Sequence, residues 1–170
     1  MTPPERARIQ TPPDPRDLPG DFAHRVTIEV RFADTDAMGH VNNAVYLTYC
    51  EAARIRYWSD VTGEPVAAGH EGAESLILAE ARISYRAPVF HTERVTVETR
   101  ATRIGRSSFT LEHRLTAAGP DGPPRLVAVS DSVLVRYDYD LGEAVPLGDR
   151  FVGAMESYEG RVLRGDTNRG

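Results

Sequence analysis

The run Arg31-Phe32-Ala33-Asp34-Thr35-Asp36-Ala37-Met38-Gly39-His40-Val41-Asn42-Asn43-Ala44-Val45-Tyr46 holds the residues of this chain best suited to chemistry. Two carboxylates close an alternating apolar stretch, a Gly-His pair follows, and paired asparagines open a helical pattern. A helix start offers unpaired backbone N–H groups and the positive end of a dipole. A carboxylate beside such donors suits attack on a carbonyl: one group activates water while the donors hold the developing oxyanion. Asp36 can serve as that base, or attack the carbonyl itself as a nucleophile. Asp34 shares the face of Asp36 only if the strand persists to residue 36. Gly39 lets the backbone turn tightly or approach a ligand closely. Asn42 and Asn43 fit a helix cap as well as an oxyanion site, and His40 fits a general base as well as a prop for the turn.

Other chemistries lack their residues. Cys50 is the single cysteine, so no internal disulfide or cysteine-built metal site is expected. No His/Cys cluster has metal-ligand spacing. Ser107-Ser108 stands outside any Gly-x-Ser-x-Gly elbow, and no Gly-rich phosphate loop is present. No metal and no cofactor are expected. The formal charge of −5 argues against a nucleic-acid partner. All 20 basic residues are arginine, so any bound anion must be met by arginine, backbone or hydroxyl donors. No apolar run reaches membrane-spanning length and no signal-like apolar core opens the chain, so a cytoplasmic protein with no membrane partner is expected.

The elements that must position the motif are legible from periodicity. At 170 residues, one domain is expected. Residues 1–22, rich in proline, read as a disordered arm; 23–158 read as the domain; 159–170 read as a flexible tail. Val26, Ile28, Val30 and Phe32 alternate as a half-buried strand. From Asn42 to about Asp60, Tyr46, Tyr49, Cys50, Ala53 and Tyr57 recur at helical spacing, and Thr62-Gly63-Glu64-Pro65 ends the helix. A looser segment, 63–74, follows. Period two returns in four further strands, around Ile77–Tyr85, Val95–Ala101, Phe109–Leu115 and Val127–Tyr139, joined by short connections that imply antiparallel pairing. One helix on such a sheet gives an α+β two-layer domain. The helix is apolar or aromatic around much of its circumference, which calls for a curved sheet or a partner subunit to cover it.

The segment from Phe32 through Asp36, Gly39-His40-Val41-Asn42-Asn43 and Tyr46 to Glu51-Ala52-Ala53-Arg54 resembles the hotdog-fold thioesterases of the 4-hydroxybenzoyl-CoA thioesterase family. Weaker similarity continues through Tyr85-Arg86-Ala87-Pro88 and Gly105-Arg106-Ser107-Ser108-Phe109. The resemblance implies a hotdog fold, a five-stranded antiparallel sheet wrapped around one long central helix. It implies a homodimer or homotetramer with active sites at the subunit interface, and hydrolysis of an acyl- or aroyl-CoA thioester without a metal. The catalytic aspartate falls on Asp36, and the helix-start donor near Asn43, acting through its backbone N–H. Substrate contacts fall on Gly39, His40, Arg86, Arg106, Ser107 and Ser108, the arginines being suited to the phosphates of coenzyme A. Acyl carrier protein as the thioester donor stays open. So do a hydratase or dehydratase acting on acyl-CoA, and a non-catalytic acyl-CoA-binding module. Glu51 fits either an acyl pocket or a pair with Arg54 or Arg86.

Overall fold

A computed structural model describes residues 18–64, 74–120 and 122–164. The strands are β1 (His24–Glu29), β2 (Glu74–Tyr85), β3 (Arg94–Ile104), β4 (Ser108–Ala118), β5 (Arg125–Asp138) and β6 (Glu143–Ala144), with helices α1 (Val45–Thr62) and α2 (Asp149–Glu159). They form one antiparallel sheet in the order β1-β3-β4-β5-β2, with the short β6 on the end of β5. Every neighbour in β3-β4-β5 is a hairpin. Two connections cross the sheet, β1 to β2 through α1 and β2 to β3, and β1 and β2 are the edges.

The α+β hotdog layering agrees with the sequence reading, with two corrections. The sheet has six strands rather than five, and a second helix, α2, packs against α1 and β3. Both additions come from 143–159, where Gly142, Pro146 and Gly148 interrupt the pattern and leave only short runs to read. Two boundaries also move. The first strand ends at Glu29 rather than Phe32, and Phe32–Asp34 form a 3-10 turn. The long helix begins at Val45, past the paired asparagines, and ends at Gly63 with φ +72°, a left-handed cap that glycine adopts without strain.

Alternation explains the core. Phe109, Leu111, His113, Leu115 and Ala117 on β4 are buried toward the helices, while the residues between them are half-exposed. Tyr46, Tyr49, Cys50 and Ala53 of α1 seal one cluster with Val95, Val97, Leu115 and Ala128. Tyr57 and Trp58, one to two turns on, enter a second cluster with Phe109, Leu134, Val152 and Met155. The α2 helix supplies the last two and so roofs the end of α1. Glu159 locks it there, accepting from the Tyr57 hydroxyl at 2.7 Å and the Ala101 N–H at 2.7 Å.

The ends of the domain are tied down further than composition suggests. Phe22 lies between the Arg100 and Arg114 guanidiniums, 4.4 and 4.5 Å from their carbons, on the outer face of the sheet. Leu163 is buried, and Ile104 donates its N–H to the Leu163 carbonyl at 3.0 Å. Of the expected arm 1–22 and tail 159–170, residues 1–17 and 165–170 lie outside the described residues, as does most of the looser segment 63–74.

Candidate active site

The motif folds as a narrow return loop between β1 and α1. Asn42 donates its N–H to the Asp34 carbonyl at 2.9 Å, Thr35 bridges Val41, and Asp36 donates its N–H to the His40 carbonyl at 3.0 Å. Gly39 closes the tip with φ +80°; no atom crowds its Cα, so conformation rather than space calls for glycine there. Val41 N–H donates to the Val89 carbonyl at 2.8 Å and docks the loop on the β2–β3 connection.

The two aspartates end in opposite environments. Asp34 is 2% exposed. Its Oδ1 accepts from Arg31 Nε (3.0 Å) and Nη2 (2.7 Å); its Oδ2 accepts from the Arg31 N–H (2.9 Å) and the Tyr49 hydroxyl (2.8 Å). Burial opposes its ionisation, but these bonds outweigh it and hold the carboxyl below the ordinary carboxylate range. Burial and the same carboxylate push the Tyr49 hydroxyl pKa well up. With four donors in place, Asp34 fastens the loop to α1 and has no lone pair aimed at solvent.

Asp36 is partly exposed. Its Oδ1 accepts the Met38 N–H at 2.9 Å, an Asx turn that fixes the carboxylate, and its Oδ2 lies 3.6 Å from His40 Nδ1. The second oxygen thus stays available to a water or a carbonyl carbon. Asn42 caps the turn into the helix, its Oδ1 accepting the Ala44 N–H at 2.9 Å. The Asn43 N–H meets no acceptor among the described residues and opens to the surface just ahead of α1. Asn42 is therefore the residue that caps.

Behind the loop stands a set of residues that sequence reasoning had not assigned to the site. The Tyr85 hydroxyl donates to the Asn43 carbonyl at 2.8 Å, fixing the peptide that leads into α1. Arg125 pairs with Glu93 and donates to the Pro88 carbonyl at 2.6 Å, and Glu93 accepts the Phe90 N–H at 2.9 Å. The Arg125 guanidinium holds Glu93 ionised below its ordinary range. This clamp stiffens the connection on which Val41 rests. The only sequence signal for it was negative: Pro88 predicted a chain break without saying what would hold it.

Arg86 follows β2 at the same end as Asn43. Arg106, Ser107 and Ser108 do not share it. Antiparallel register sets Glu29, at the mouth of the Asp36 loop, opposite Arg94, while the 105–107 turn lies at the far end of β3. Ten residues of strand separate the two, roughly 33 Å. There the turn is rigid: Gly105 N–H donates to the Ser108 carbonyl (2.7 Å), Arg136 N–H to the Ser107 carbonyl (2.9 Å), and Leu147 N–H to the Arg106 carbonyl (3.0 Å). One chain alone does not bring Arg106 to Asp36. No cluster of His, Cys, Asp and Glu suited to a metal occurs among the described residues, and none of their helices is long and apolar enough to cross a membrane.

Comparison with known proteins places this geometry. A model of the thioesterase-like superfamily matches residues 30–154. The chain is 31% identical over 91 residues to 1,4-dihydroxy-2-naphthoyl-CoA hydrolase of Synechococcus elongatus, covering 51% of this chain and 65% of that relative. Among solved structures, a thioesterase of Thermus thermophilus complexed with coenzyme A and Zn is 35% identical, with a TM-score of 0.68 over 82% of this chain and 96% of that one. A 1,4-dihydroxy-2-naphthoyl-CoA thioesterase from Synechocystis shares the fold at 22% identity, with a TM-score of 0.68 over 78% and 94%.

Proposed function

The chain belongs to the thioesterase-like superfamily, and from that premise we propose that it hydrolyses an acyl- or aroyl-CoA thioester to the free acid and coenzyme A. The observation that carries the reading is the contrast between the two aspartates. Asp34 is saturated by Arg31 and Tyr49, whereas Asp36 is held by one Asx bond with its other oxygen 3.6 Å from His40 Nδ1, and the Asn43 N–H ahead of α1 meets no acceptor among the described residues. In this reading the thioester carbonyl oxygen accepts from the Asn43 N–H. As general base, Asp36 takes a proton from water while the water oxygen bonds to the carbonyl carbon. The tetrahedral oxyanion then collapses, the C–S bond breaks, and the proton passes to the departing thiolate. As nucleophile, Asp36 bonds to the carbonyl carbon and the C–S bond breaks, releasing the thiolate; water then cleaves the mixed anhydride to the free acid and the regenerated Asp36 carboxylate, and the proton released goes to the thiolate. His40, 3.6 Å from Asp36, orients the carboxylate in either route.

The opposite placement of Asp36 and Arg106 supports a homodimer. The β2 edge is unpaired among the described residues, and Leu78, Ala79, Glu80, Ala81 and Arg82 along it are exposed. Two copies joined antiparallel along β2 would set the 105–107 turn of one near the Asp36 end of the other. Arg106, Ser107 and Ser108 then serve the coenzyme A phosphates of a site whose carboxylate comes from the second copy. Free-thiol release from a panel of acyl- and aroyl-CoA thioesters tests the function. Turnover is expected; binding without thiol release would instead favour a non-catalytic module.

A further inference from the structure

The chain between the Asp36 loop and α1 is gripped by a side chain from the edge strand β2. Its backbone groups are used in a fixed pattern. Asn42 donates its N–H to the Asp34 carbonyl at 2.9 Å, and its own carbonyl accepts the Val45 N–H at 2.9 Å. The Ala44 N–H goes to Asn42 Oδ1 at 2.9 Å, and the Ala44 carbonyl accepts the Leu47 N–H at 3.2 Å. The Asn43 carbonyl accepts the Tyr85 hydroxyl at 2.8 Å. In a regular helix that carbonyl would accept the Leu47 N–H, four residues on; here the Leu47 N–H closes on Ala44 instead. The 43–44 peptide is thus held at both poles by side chains, Asn42 at its N–H and Tyr85 at its C=O, and not by the helix ladder.

Tyr85 stands on a rigid base. It is the last residue of β2, in register with Ala128 of β5, and the Arg86 N–H that follows donates to the Val127 carbonyl at 2.8 Å. Its ring meets the Tyr46 ring edge-on, with centroids 5.2 Å apart and planes at 83°, and Tyr46 is buried in the first turn of α1. Partial burial raises the Tyr85 hydroxyl above its ordinary pKa, so it stays a protonated donor at neutral pH. Yet Tyr85 is 42% exposed, so water could satisfy the same carbonyl, and stability alone does not call for the phenol. What a side chain on a fixed strand adds is direction.

Resting on the thioesterase reading above, we propose that Tyr85 is a positioning residue: by drawing the Asn43 carbonyl off the helix ladder it fixes the rotation of Asn43 and aims that residue's N–H at the thioester oxygen. Without the hydroxyl, the Asn43 carbonyl is free to turn to the Leu47 N–H, which lengthens α1 and tilts the Asn43 N–H with it. An oxyanion donor acts within about 2.7–3.1 Å of the oxygen, so a small tilt is felt in the transition state.

Tyr85→Phe removes one oxygen atom and keeps the ring against Tyr46. Losing a whole oxyanion donor costs about 10²–10³ in kcat. A donor that remains but is no longer held loses less, so kcat should fall about five- to fiftyfold, with KM within about twofold. The readout that a merely structural bond would not move is the carbonyl stretch of the bound substrate. The probe is the acyl- or aroyl-CoA that the wild-type protein turns over fastest, 13C-labelled at its thioester carbonyl. Bound to Asp36→Asn, where chemistry is slow, its carbonyl band should move to lower frequency. In Asp36→Asn/Tyr85→Phe that shift should shrink by half or more. An unchanged shift in the double variant overturns the proposal. So does a Tyr85→Phe protein that fails to fold, keeps kcat within about twofold of wild type, or loses rate through KM alone. Absence of any shift in Asp36→Asn, or of turnover on every thioester by the wild-type protein, refutes instead the thioesterase reading on which the proposal rests.

Discussion

Replacing Asp34 by Asn separates the two aspartates by stability rather than by activity. The carboxylate accepts four bonds, two on each oxygen, inside a site that is 2% exposed. An isosteric amide turns one acceptor oxygen into an NH₂ donor. Whichever way it flips, that donor faces either the Arg31 guanidinium or the Arg31 N–H and Tyr49 hydroxyl. The buried Tyr49 hydroxyl can rotate, but a backbone N–H or the guanidinium then loses its acceptor. Leaving a buried donor unsatisfied costs about 1–3 kcal/mol, and the lost charge-assisted bond adds to it, so about 2–4 kcal/mol is expected. In a domain of this size that lowers Tm by about 5–15 °C. The effect has a signed pH dependence. The folded pKa of Asp34 is depressed, so its stabilisation is present above the unfolded carboxylate value, about 3.9, and is lost as pH falls through the lower folded value. The gap between wild type and variant should therefore close in strong acid. Thermal unfolding from pH 7 to pH 2.5, with thioester turnover measured well below Tm, checks this. An unchanged Tm with a hundredfold loss of kcat would refute the division of roles and make Asp34 the catalytic group.

His113 gives a second pH effect of the same sign by a different route. Burial pushes its pKa down to about 3, and it stays neutral between the Thr99 and Ser132 hydroxyls at 3.0 and 3.2 Å. The unfolded chain takes up that proton near pH 6.5 and the native state does not, so urea midpoints should fall from about pH 6.5 toward pH 3 and flatten in His113→Gln. At the far turn, Arg106→Ala should raise KM for an acyl-CoA with little change in kcat, and leave a short thioester lacking the nucleotide unaffected. Mixing inactive Asp36→Asn with Arg106→Ala subunits should restore sites with both residues native. An Arg106→Ala penalty equal on both substrates would make the residue structural.

Sequence read the layers of this fold well because they rest on period-two strands and one uninterrupted helix. Gly39 and Gly63 were legible for the same reason: each serves a backbone conformation, which is local. The division of labour inside the motif was not. Nothing in Asp34-Thr35-Asp36 says that the strand stops at Glu29, and the 3-10 turn there sends the two carboxylates to different environments. Tyr49 appeared in sequence as one more residue of an apolar stripe, though its hydroxyl completes Asp34. The Arg125–Glu93 clamp joins residues 32 positions apart and leaves no periodic trace. The separation of Asp36 from Arg106 likewise emerges only from strand register, since both motifs lie at strand ends and sequence does not say which end.

The central claim is that Asp36 performs the chemistry, and Asp36→Asn tests it most directly. The amide keeps the side-chain oxygen that accepts the Met38 N–H, so the loop keeps its shape while the negative charge is removed. General-base catalysis contributes about 10²–10⁴ in rate. In Asp36→Asn, kcat for acyl-CoA hydrolysis should fall in that range, with Tm and affinity for the substrate little changed. Hydrolysis retained within a few-fold of the wild-type rate, in a variant of unchanged stability, would contradict it.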